Sequence, residues 1–191
     1  MPDRRLLAIV LLLTSAACSG STGPVTKPQG DLTFLHPAID AATLAETTVS
    51  FWAYRARDTE AAIWYHPRPG SSDSTEFIRF KVPEQSITPD SVQITITVVD
   101  PTNLIVQFEP SGLRFDPRAP AQLKINYTEA DQDLNDDGVV NGTDDALKAE
   151  LALWMQETAG APWVRLPGLS LSGTDEVEAD IFGFTRYAVA Y

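Results

Sequence analysis

The chain is short of the residues most catalytic and metal-binding motifs need. It has one cysteine, Cys18, and two histidines, His36 and His66. A single cysteine excludes an internal disulfide and any cysteine-cluster metal site. Each histidine precedes a proline and has no ligand-spaced neighbour, so both read as turn or surface residues. Positive charge is also scarce: 14 Lys and Arg stand against 26 Asp and Glu, a net charge of −12. That balance argues against nucleic acid and anionic lipid surfaces as partners. No nucleophile elbow, phosphate loop or dinucleotide fingerprint occurs, and nothing in the chain points to an enzyme.

Long hydrophobic runs are missing as well. The longest, Leu6 to Leu13, is too short to span a bilayer. It follows Arg4 and Arg5 and precedes Ser15-Ala16-Ala17-Cys18, the layout of an export leader. The segment resembles a bacterial lipoprotein signal, with Ser15 where a leucine usually begins the box. The resemblance implies cleavage after residue 17, lipidation of Cys18, and anchoring in the cell envelope. Ser19, which is not Asp, implies passage to the outer membrane. An ordinary secretory leader with an incidental cysteine is the plainer alternative. Residues 18–30 are small, polar and proline-bearing, and predict a flexible tether. Residues 31–191 are then one domain, long enough to bury a core.

What is abundant is oxygen, concentrated between Asp133 and Asp144. Asp133, Asn135, Asp137, Asn141 and Asp144 fall at positions 1, 3, 5, 9 and 12 of a calcium loop. Gly138 takes the turn position, and the Val139 carbonyl falls at position 7. Val140, next to it, is expected to anchor the loop to a core. No Lys or Arg occurs between Lys124 and Lys148 to neutralise these carboxylates. Asp, Asn and Gly also dominate ordinary turns, so an Asx-rich turn without metal would use the same residues. The pattern resembles the EF-hand loop, and most of all its dockerin variant, which also ends in Asp. Dockerins carry two such loops; this chain has one, so docking to a cohesin is not implied. The short Asp144 in place of a bidentate Glu implies a modest Ca²⁺ affinity, nearer extracellular modules than cytosolic buffers.

Elsewhere, apolar residues alternate with polar ones. Val92, Ile94, Ile96 and Val98 are the clearest case. Val49-Phe51-Ala53, Ile78-Phe80-Val82, Leu104-Val106-Phe108, Leu123-Ile125-Tyr127 and Val177-Ala179-Ile181 repeat it. Pro and Gly punctuate these runs, which predicts a mainly β, antiparallel β-sandwich. Helix formers follow the loop, and then Leu151, Leu153 and Met155 alternate. This predicts one or two helical turns over 143–149, then a hairpin returning through Trp163 to Leu166.

Ser91–Thr97, Glu109–Phe115, Leu123–Tyr127, Trp163–Pro167 and Gly183–Tyr187 resemble successive strands of the ZU-five β-sandwich, over residues 76–191. The calcium loop, 131–145, then looks like an insertion. Some members cleave themselves at His-Phe-Ser. Here the triplet is Gly183-Phe184-Thr185, so self-cleavage is not expected.

Three roles stay open at this point. The first is a non-catalytic, calcium-stabilised envelope module with a structural or interaction role. The second is a carbohydrate- or protein-binding module with the metal near its ligand, for which Trp52, Tyr54, Trp64 and Tyr65 are candidate contacts. The third is a hydrolase using a carboxylate pair. Neither a glycan nor a protein partner can be named from these residues.

Overall fold

A computed structural model describes residues 24–171 and 174–191. The leader, Cys18 and the first part of the tether lie outside them. The strands are β1 (Thr26–Lys27), β2 (Thr48–Tyr54), β3 (Thr59–Trp64), β4 (Glu76–Val82), β5 (Ser91–Asp100), β6 (Ile105–Glu109) and β7 (Ala121–Asn126). Among the described residues one short α-helix, α1 (Gly142–Lys148), precedes β8 (Ala152–Gln156), β9 (Trp163–Arg165), β10 (Gly168–Leu171), β11 (Glu176–Ile181) and β12 (Arg186–Ala190). They form two antiparallel sheets. The seven-stranded sheet runs β1-β9-β8-β12-β6-β5-β2, and the five-stranded sheet β10-β11-β7-β4-β3. The expected mainly β sandwich, with one short helix after the loop and a β8–β9 hairpin, is what the chain forms.

The alternation explains the layers, because successive strand residues point to opposite faces. In β5, Ile94, Ile96 and Val98 are buried while Thr95 and Thr97 are only partly covered. In β4 the alternation breaks, and Phe77 and Ile78 are both buried. The β3–β4 register jumps from Ile63↔Ile78 to Trp64↔Glu76, so the skipped Phe77 turns inward beside Tyr65, ring centroids 5.4 Å apart. Phe80 of β4 is the joint between the sheets. It lies 4.8 Å from Phe108, 6.4 Å from Phe51, 6.1 Å from Phe115 and 5.8 Å from Phe184.

The outer face of the seven-stranded sheet is partly covered by the chain's own N-terminal segment. Thr26 and Lys27 pair with Val164 and Trp163 at the β9 edge. Phe34 bridges Ala190, and Leu35 N–H donates to Val189 O at 3.1 Å, on the far side of β12 from β8. Residues 26–35 therefore strap across β9, β8 and β12. Leu32 of the strap packs with Trp154 and Trp163 beneath it, and Phe34 lies edge-on to Trp163 at 5.2 Å. Ala152, Ala188 and Ala190 supply the room, since larger outward residues would hold the strap off the sheet. Composition predicted a tether through residue 30, whereas Thr26 and Lys27 already pair with β9. Short polar residues say little when backbone pairing and a single Leu and Phe carry the docking.

Glu129, just after β7, closes a second tie. Its carboxylate accepts from Arg68 Nη2 at 2.6 Å and from Ala42 N–H at 2.8 Å. The Glu129 side chain is 5 % exposed and that of Arg68 52 %. Removing either partner therefore has unequal consequences. Arg68→Met strands a buried carboxylate, whereas Glu129→Gln releases a cation already in water and keeps an acceptor for Ala42. Urea unfolding should show Arg68→Met as the more destabilising change; the reverse order would contradict this reading.

Candidate metal centre

The Asp133–Asp144 loop joins β7 of one sheet to α1 and β8 of the other. Its flanks are stitched to neighbouring chain. Asp131 N–H donates to His36 O at 2.9 Å, and Ala38 N–H to Glu129 O at 3.0 Å. The Tyr191 hydroxyl, at the end of the chain, donates to Leu134 O. Leu134 is 8 % exposed and is the residue that seats the loop on the core. Val140, expected to do so, is 58 % exposed. The anchor is six positions earlier because Leu134 falls where the chain leaves the sheets, while Val140 lies at the outer bend.

Within the loop the oxygens turn inward onto backbone amides. Asp133 accepts from Asp137 N–H at 3.1 Å and Gly138 N–H at 2.6 Å. Asn135 Oδ1 also accepts from Asp137 N–H, at 3.0 Å, so the two side-chain oxygens meet at one amide. Asp137 Oδ1 accepts from Val139 N–H at 2.9 Å. The Val139 carbonyl takes a bond from Asn141 Nδ2 at 2.8 Å. Asp136 and Gly138 have φ of 56° and 85°, in the left-handed region that Asp tolerates and Gly adopts freely.

Asp144 plays a different part. It is fully buried, and its carboxylate accepts from Leu134 N–H at 2.8 Å, Asn135 N–H at 3.3 Å and Asn141 N–H at 2.8 Å. With Asn141 as N-cap it forms a capping box on α1. These amides, that of Asn141 foremost, hold its carboxyl below the usual carboxylate range. A carboxylate has about four lone-pair sites. Two amides occupy Oδ1 and one occupies Oδ2, which leaves a single site for a cation.

The donor set suits a hard cation. Every candidate ligand is an oxygen, the Asp133 carboxylate is half-buried and that of Asp137 exposed, and the amides that pin them leave further lone pairs. No transition-metal chemistry is supported by it. Among the described residues, no three His, Cys, Asp or Glu side chains already converge on one point. The site depends instead on Asn135, Asn141 and the Val139 carbonyl completing two or three carboxylates.

Other candidates are dispersed. His36 approaches Asp136 at 3.9 Å, and His66 lines a separate depression with Arg68. The four aromatics proposed as a ligand face are not gathered into one. Tyr65 is buried beside Phe77, and Arg57 stacks on Tyr54 at 4.2 Å. Trp52 and Trp64 are exposed on strands of different sheets. Sequence adjacency misled because the β2–β3 turn carries the chain from one sheet to the other. In the Gly183-Phe184-Thr185 triplet, the Thr185 hydroxyl donates to Gln156 O. Nothing in the sequence signalled the Tyr191 or Glu129 ties, which join residues far apart in the chain.

Acid sensitivity follows from several carboxylates at once. Asp116, beside Arg118, is held at about 2; Asp100, bonded by Asn103, and Asp58, bonded by the Glu84 amide, are also lowered. A depressed folded-state pKa contributes stability above the unfolded value of about 3.9, and that contribution is lost as pH falls through the folded one. Urea midpoints should thus fall between about pH 4 and pH 2. A flat profile across that window would contradict it.

Comparison with family models, with curated proteins and with solved structures gave no significant match. No helix among the described residues is long and apolar enough to cross a membrane.

Proposed function

We propose that this is a non-catalytic, Ca²⁺-stabilised β-sandwich lipoprotein of the bacterial envelope, with a structural or interaction role. The observation that carries the reading is a single oxygen-rich loop on the connection from one sheet to the other, without a basic residue of its own. Asp133, Asn135, Asp137, the Val139 carbonyl and Asn141 would hold the ion, and Asp144 would offer the one oxygen site its amides leave free. The ion supplies positive charge that relieves repulsion among these carboxylates and fixes the loop. A ZU-five-like sandwich over residues 76–191, an export leader over 1–17 and a lipid on Cys18 belong to the same proposal, with the outer membrane as its location.

Calorimetric titration of Ca²⁺ into chelator-treated protein should fill one site, and Asp137→Ala should abolish it. Absence of binding at millimolar Ca²⁺ removes the metal half of the reading. In cells, Cys18→Ala should move the protein out of the membrane fraction; an unchanged distribution removes the anchor.

A further inference from the structure

A cavity of ≈ 450 Å³ opens where the β11–β12 crossover passes from the five-stranded to the seven-stranded sheet. Its size falls within the range of about 300–1,000 Å³ common for small-molecule sites, which are mostly apolar with a few placed polar groups. Met155 and Ile181 help form its wall, and Phe182 lines it while remaining 45 % exposed. Phe184, two residues on, is 6 % exposed in the core, so the crossover sends one ring inward and presents the other at the cavity.

Three charged residues share the lining: Arg114 from the β6–β7 connection, Glu157 from the β8–β9 turn and Asp180 from β11. Among the described residues none of the three takes part in an ion pair. Arg68, Arg79, Arg118 and Lys124 all have a carboxylate within 3.0 Å. The Arg114 backbone is held by its bridge to Gly183. A Cβ at Gly183 would come within 3.3 Å of Leu113 O and 3.4 Å of Arg114 Cδ, so glycine lets the arginine lie close against the crossover.

One cation and two anions around an apolar wall complement a small zwitterion with an apolar body. We propose that this cavity binds a short peptide with free ends and a large apolar side chain. Arg114 takes the carboxylate, Glu157 and Asp180 take the ammonium, and the side chain lies against Met155, Ile181 and Phe182. A purely apolar ligand would leave the charges unused, and a simple anion would face two carboxylates.

The dipeptide Leu-Phe is the probe, with N-acetyl-Leu-Phe and Leu-Phe amide as its one-ended derivatives, all measured by calorimetry on the folded chain. Leu-Phe should bind, and blocking either end should weaken it by about tenfold or more, the scale of one charge-assisted bond. Arg114→Gln should erase the difference between acid and amide. The double change Glu157→Gln with Asp180→Asn should erase the difference between amine and acetyl. All three side chains are exposed, so melting temperature should confirm that these variants stay folded. No binding of Leu-Phe at millimolar concentration, equal binding of the three ligands, or an acid preference that survives Arg114→Gln would each overturn the proposal.

Discussion

Phe80→Ala is expected to cost about 3–5 kcal/mol, the largest loss from any single truncation considered, because the ring is the contact between the sheets. Phe80 is 0 % exposed on β4, in the five-stranded sheet. Its ring neighbours Phe51 and Phe108 belong to the other sheet, and Phe115 and Phe184 to the connections between them. Cutting the ring to a methyl leaves a void lined by four rigid aromatics that cannot collapse into it without moving both sheets. A domain of this kind is stable by about 5–15 kcal/mol, so the loss is a large fraction of the whole margin. Phe182→Ala is the matched control: at 45 % exposure it should cost much less. Equal urea midpoints for the two variants would show that the aromatic cluster is not the joint described.

Ca²⁺ is expected to have the next largest effect, as a gain. A ligand that binds only the folded state stabilises it by about 2.7 kcal/mol at a hundredfold excess over its Kd. For a Kd of about 10⁻⁴ M, at the tight end of extracellular modules, that excess is reached near 10 mM. Each kcal/mol moves the melting temperature of a domain this size by about 2–4 °C, so the rise should be several degrees. Asp137→Ala should remove it. Asp136→Ala should not, because Asp136 is 78 % exposed at its side chain and lies toward His36. This pair separates chelation by the loop from a general response to divalent charge on an acidic protein, which both variants would share.

Much of the fold was legible because burial of one strand face writes a period of two into the sequence. Ile94, Ile96 and Val98 on β5, and Leu123 and Ile125 on β7, are buried as alternation predicts. The helix after the loop was legible through its helix formers, and the hairpin after it through Leu153 and Met155. The strap was not, because β1 is two residues long and its docking depends on alanines far along the chain. Strand β10, Gly168–Leu171, was hidden behind Pro167-Gly168, which reads as a turn. In the loop, the spacing named the oxygens but not their geometry. Which apolar residue anchors it depends on where the loop leaves the sheets, and this placed Leu134 inward and Val140 out. Likewise the spacing gave no hint that the Asp144 carboxylate would be spent largely on three amides.

The most direct measurement is thermal unfolding of the chelator-treated protein against Ca²⁺ concentration, with Asp137→Ala and Asp136→Ala alongside. A loop that clips the sandwich with Ca²⁺ predicts a melting temperature that climbs with Ca²⁺ in the parent and in Asp136→Ala, and stays flat in Asp137→Ala. The same flat line in all three, or the same rise in all three, contradicts it.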